Sequence, residues 1–167
     1  MARIPDPTPG LVFRYDYLRP HQFDEGIEHG KERPACVLVT LAEGEVLTGV
    51  KIIDEQSRTT TIDYVARTND VVIIPIQSDP PGPDQLGVVL DIETKRYIGL
   101  PTDHVSYAIV SEVNIDTWPS SGIQNVPGRS GQWAYPRLMP GPKMAAIARR
   151  FLQLRERNLT RALVRHP

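Results

Sequence analysis

The chain has 167 residues, enough for one domain with its own core. Its 40% hydrophobic and 23% charged residues are ordinary for a globular protein, and no apolar run reaches the length of a membrane-spanning helix. A single cysteine, Cys36, excludes an internal disulfide and fits a reducing compartment.

The opening residues lack the apolar stretch of a signal peptide, so a cytoplasmic protein is expected, with no membrane partner. Net charge is −1, unevenly spread. Residues 143–167 hold seven basic residues against one acid, a local +6, which leaves −7 for the rest. A basic tail on an acidic body attracts a polyanion; the alternative is a solvated helix face. Sixteen prolines point to many short elements joined by ordered turns.

In chain order, residues 1–9 form a proline-rich arm. Residues 10–17 alternate, with Leu11, Phe13, Tyr15 and Tyr17 on one face, the period of a half-buried strand. Residues 18–33 are polar and read as a long loop. Residues 35–40 are apolar and β-branched, a central strand in which Cys36 is a small buried hydrophobe. Residues 45–53 and 59–66 read as a hairpin. Residues 71–76 (Val-Val-Ile-Ile-Pro-Ile) give the strongest strand signal, with Pro75 expected near an end or on an edge.

Beyond a rigid loop at 79–84, residues 87–92 read as a strand and 93–100 as one helical turn closed by Gly99. Residues 105–113 read as the last main strand, and 119–142, with five prolines and four glycines, as loop. Met144, Ile147, Ala148, Phe151 and Leu154 then recur at helical spacing after Gly141-Pro142. An amphipathic helix over 143–163 is expected, with Phe151 as its main anchor. The fold class is therefore mainly β: a small barrel or rolled sheet in one domain, 1–167, with the C-terminal helix packed on it.

No P-loop, dinucleotide fingerprint, H-E-x-x-H or G-x-S-x-G occurs. His21, His29, His104 and His166 have no metal-ligand spacing with one another or with Cys36, so neither metal nor cofactor is expected.

Three segments carry a resemblance. Gly26-Ile-Glu-His-Gly-Lys-Glu-Arg33-Pro34 leads into an apolar strand, with Glu28 five residues before Arg33. Val71-Val-Ile-Ile-Pro75-Ile-Gln-Ser78 is the second, and Ala108-Ile-Val-Ser-Glu112-Val-Asn-Ile-Asp-Thr-Trp118 the third. Together with the terminal helix, in this order, they resemble the PemK/MazF family of toxin endoribonucleases. The resemblance implies an SH3-like barrel, usually a homodimer. It also implies metal-independent cleavage of single-stranded RNA and neutralisation by a cognate antitoxin.

Such cleavage uses the ribose 2′-OH against the adjacent phosphate. It needs a base, an acid and a cation for the phosphorane charge. The resemblance places Arg33, Ser78 and Glu112 in catalysis, helped by Glu28 and His29, with Lys31, Gln77 and Asn114 binding substrate. Arg33 suits the cationic role because guanidinium matches phosphate oxygens in a fork; an ion pair with Glu28 or Glu32 is the structural alternative.

The sequence departs from the family pattern in four places. Gln77 stands where the family has Thr. His29 follows the Glu rather than preceding it. The stretch 41–70 and the tract 119–142 are both longer than usual. Trp118, Trp133 and Tyr135 are candidates for stacking on bases or for packing. Two alternatives stay open: an inactive barrel that binds RNA or protein, and an unrelated small barrel in which the motifs are coincidental.

Overall fold

The computed structural model describes residues 3–18, 31–53 and 59–165. It is mainly β, built on a ten-stranded mixed sheet. The strands are β1 (Val12–Tyr17), β2 (Lys31–Thr40), β3 (Val46–Ile53), β4 (Thr59–Val65), β5 (Asp70–Gln77), β6 (Gly87–Leu90), β7 (Ser106–Ile109), β8 (Glu112–Thr117), β9 (Ile123–Gln124) and β10 (Thr160–Val164). Two helices are described, α1 (Ile92–Ile98) and α2 (Gly141–Glu156). The strand path β4-β3-β10-β8-β5-β2-β1-β9 is open, with β4 and β9 at its ends; β7 joins β5 to β6.

The continuous apolar run of β5 makes it the centre, and all eight of its residues are buried. Pro75 lies near the end of β5, two residues before Gln77, and not on an edge: it opposes Ala35 of β2 inside the sheet. On the other flank of β5, β8 pairs only as far as Ile73 and β7 begins at Ile76. Proline lacks an N–H, and Pro75 sits at the changeover where neither of these ladders needs one.

Alternation along the strands separates two cores. One contains Val12, Cys36, Ile74, Val113 and Ile115, covered by Ile147, Phe151 and Leu154 of α2. Phe151 is 4% exposed, in line with its role as anchor. Burial pushes the Cys36 thiol up to about 12, so this sulfur is an inert hydrophobe. The other core holds Phe13, Tyr15, Tyr17, Ala35, Val37, Ile73 and Trp118. Trp118 is a core residue, edge-on to Phe13, with its indole N–H donating to Pro5 O.

Three elements differ from the sequence expectation. The 105–113 strand is two strands, β7 and β8, broken at Val110 and Ser111. The 119–142 tract contains a short strand, β9, against β1. The terminal helix stops at Glu156 rather than 163. Asn158 takes a left-handed φ of 55°. Its N–H donates to Arg155 O and that of Leu159 to Leu154 O, a Schellman closure with asparagine in the usual glycine position. The chain then enters β10, parallel to both β3 and β8, burying Ala162 and Leu163. Gly49 allows β3 to approach the end of α2: a Cβ there would lie 2.6 Å from Arg155 O.

Candidate functional site

β8 turns Val113 and Ile115 into the helix-covered core. Its alternate positions, Glu112, Asn114 and Asp116, are therefore directed to the tyrosine face, and all three are buried. A row of polar side chains on a central strand is costly unless each finds partners.

Asp116 is fully engaged. Its Oδ2 accepts from Tyr15 Oη at 2.6 Å and from Ser120 Oγ at 2.7 Å, and its Oδ1 from the Thr117 N–H at 2.8 Å. Burial, then the Asp116 charge, hold the Tyr15 phenol well above its ordinary range. Asn114 acts as a strand partner for Leu18: its Nδ2 donates to Leu18 O at 2.9 Å and its Oδ1 accepts from Leu18 N–H at 3.3 Å. Arg165, just past β10, donates to Asn114 Oδ1 and Asp16 O and lies over the Tyr15 ring.

Glu112 is different. Its Oε2 is buried and has no hydrogen-bond partner among the described residues. Its register partner on β10 is Arg161. Tyr17 donates its hydroxyl to the Glu112 carbonyl at 3.1 Å, and the Arg33 guanidinium lies over the Tyr17 ring, 5.8 Å from its centroid. Arg33 and Glu112 thus meet around one tyrosine. Leu18 and Lys31, which flank residues 19–30 in sequence, are at the same corner, Lys31 as the register partner of Tyr17. Glu28 and His29 lie outside the described residues.

Gln77 lies on the same face by strand alternation, two residues past Pro75 as Arg33 is two before Ala35. It is buried, and its amide donates to Asp79 O and Gln85 Oε1, both at 3.0 Å, ordering the proline-rich loop. Ser78 faces the other way. It is exposed and lines a cavity of about 270 Å³ with Arg14, Lys95, His104, Ser106 and Tyr135.

The structure therefore gathers Arg33, Glu112, Asn114 and the start of β2 at Lys31, with Gln77 on the same face, and leaves Ser78 on the opposite side. Tyr15, Tyr17, Asp116, Arg161 and Arg165 were not singled out as site residues from sequence. The two tyrosines had a signal, since their spacing with Phe13 set them on one face; Arg161 and Arg165 were hidden by the helical reading of residues 157–163. No group of three or more His, Cys, Asp or Glu suited to a metal occurs among the described residues, nor does any described helix have the length and apolarity to cross a membrane. Comparison with family models, with curated proteins and with solved structures finds no match for this chain.

Proposed function

We propose that this protein is a divergent PemK/MazF-type toxin with an SH3-like barrel. In this reading it cleaves single-stranded RNA without metal, at the corner around Tyr17. The observation that carries the reading is the meeting of Arg33 and Glu112 on one tyrosine: the Arg33 guanidinium lies over the Tyr17 ring and the Glu112 main-chain carbonyl accepts from its hydroxyl, while the buried Glu112 side chain keeps one oxygen without a partner among the described residues. The two groups supply complementary halves of the chemistry. The Glu112 carboxylate takes the 2′-OH proton as that oxygen attacks phosphorus. The bond to the 5′-oxygen breaks, leaving a 2′,3′-cyclic phosphate and a 5′-hydroxyl. Arg33 stabilises the added negative charge on the phosphorane oxygens. Glu28 or His29 supplies the proton to the departing oxygen. The same reading brings a cytoplasmic location, a homodimer and a cognate antitoxin.

The test is incubation of the purified protein with a long single-stranded RNA in EDTA, beside Arg33→Ala. Discrete fragments from the wild type, reduced at least about 100-fold in rate by the substitution, are expected. Equal cleavage by both proteins rejects the reading.

A second reading, an inactive barrel that binds RNA or protein, has its own support. Asn114 and Gln77 are occupied in holding Leu18 and the 79–85 loop, and Ser78 faces away from Arg33. Intact RNA in both lanes, with the RNA retained on the protein, selects it.

A further inference from the structure

Lys95 is a buried cation with little to hold it. It lies on α1, which is fixed at both ends: Asp91 accepts from the Thr94 N–H at 2.8 Å, and Gly99 closes the helix in a left-handed conformation. The residue is only 3% exposed. Its ammonium has three donors, and among the described residues one hydrogen bond is made, to His104 O at 2.7 Å. No described carboxylate is in ion-pair contact with it; the nearby Asp103 pairs instead with His104, at 3.0 Å. Burial holds the ammonium below its ordinary range, with the Asp103 charge pulling the other way. Buried charges in proteins are paired or coordinate a ligand.

The surroundings say what would complete the pairing. Lys95 lines the 270 Å³ cavity with two hydroxyl groups, Ser78 and Ser106, a second cation, Arg14, and one acid, Asp103, which is engaged by His104. Arg14 is held by Glu32, its Nε 3.1 Å from Glu32 Oε1. Pro34, Pro101 and the Tyr135 ring supply apolar walls. At about 270 Å³ the space exceeds what a bare phosphate needs and falls just short of the usual small-molecule pocket, so it encloses the phosphoryl end of an ester and only part of an attached nucleoside.

We infer that this cavity is a phosphate-ester site, with Lys95 and Ser78 receiving the phosphoryl oxygens and the Tyr135 side flanking the nucleoside. It is separate from the Arg33–Glu112 corner, on the other face of the sheet, and stands whether or not that corner cuts RNA. The phosphate ester has two sources, a unit of an RNA strand or a free nucleotide.

The full chain, labelled with 15N, is titrated with inorganic phosphate, then with uridine 5′-monophosphate, following the backbone amides of Ser78, His104 and Ser106. Saturable shifts at these amides are expected, with the nucleotide binding at least about fivefold more tightly than phosphate. Lys95→Met weakens nucleotide binding at least about tenfold, as loss of a charge-assisted hydrogen bond does. Ser78→Ala, on an exposed side chain that folding does not need, weakens it about threefold to tenfold. Arg33→Ala leaves it unchanged, which separates this site from the proposed cleavage. Competition by a short oligouridylate identifies the RNA strand as the source; lack of competition identifies the free nucleotide, and either supports the site. Absence of saturable shifts at these amides, or nucleotide binding unaltered by Ser78→Ala, overturns the inference, even where Lys95→Met fails to fold.

Discussion

The two ends of β8 are built from the same kind of residue and do opposite things. At one end the Asp116 carboxylate accepts from Tyr15, Ser120 and the Thr117 N–H. At the other, two strand positions before Asn114, the Glu112 carboxylate has a buried oxygen with no partner among the described residues. Both acids are 8% exposed, so burial does not separate them. Partnership does. A carboxylate surrounded by donors locks a structure, because removing it orphans every donor at once. A carboxylate left with an open lone pair keeps an acceptor free for another group. The comparison teaches that a buried acid is read as structural or chemical by counting its donors, not by its accessibility.

The contrast is broken most readily by exchanging the costs. Asp116→Ala removes an acceptor from Tyr15, Ser120 and the Thr117 N–H and so unties the end of β8 from β1 and from the segment after it. A loss of about 3 kcal/mol in urea unfolding is expected; a loss below about 1 kcal/mol removes the distinction. Glu112→Gln is expected to do the reverse. The amide fits the same space and leaves stability within about 1 kcal/mol, since no described hydrogen bond to the side-chain oxygen Oε2 is lost. RNA cleavage falls about 100-fold or more, the usual contribution of a positioned base. A variant that keeps full cleavage, or one that unfolds with it, moves Glu112 to the structural class with Asp116.

Much of the frame was legible in the sequence, for identifiable reasons. The period-two pattern of residues 10–17 and the apolar run at 71–76 report burial on one face and on both faces, and β1 and β5 follow. Gly99 closes α1 as its lack of a side chain allows. The end of α2 was not legible, because Leu159 and Leu163 fit helical spacing while Asn158 takes a left-handed conformation and starts a strand. Pro75 is near the end of β5 as its missing N–H suggests, but that it sits inside the sheet depends on where two partner strands change over, which no local pattern encodes. Among the candidate site residues, Arg33 and Glu112 were found by resemblance and do share a tyrosine. Ser78 and Gln77 are adjacent in sequence, but β5 ends at Gln77, and the bend that follows leaves Ser78 lining the cavity beside Ile76. Lys95 carried no signal: one lysine in a single helical turn looks solvated until α1 is seen against the 103–106 segment.

Alkaline titration sharpens the saturated end further. Tyr15 ionises near 10 when unfolded and well above that when folded, so folding favours its protonated form. Its contribution is complete below the ordinary tyrosine range. It is lost as pH rises through 10 toward the folded value. Stability is expected to fall by about 1 kcal/mol per unit of pH in that range, measured by urea unfolding, and Tyr15→Phe to flatten the slope. An unchanged slope in that variant means that burial and the Asp116 charge do not raise the Tyr15 ionisation on folding.

The smallest effect extends the comparison to the opposite face. Lys95 resembles Glu112 rather than Asp116: buried, charged and incompletely paired. Its depressed ionisation means the folded state binds the proton less well than the unfolded chain. The penalty is present at neutral pH and fades as pH rises toward the ordinary lysine range, where both states lose the proton. Lys95→Met, similar in shape and without charge, is therefore expected to be up to about 1 kcal/mol more stable than the wild type at pH 7. The gap should narrow toward pH 10 in parallel urea titrations. A variant less stable than wild type by more than about 1 kcal/mol makes the lysine a strut for the His104 carbonyl. A stabilised variant that binds nucleotide poorly places Lys95 beside Glu112, among residues whose charge the fold tolerates because something outside the fold uses it.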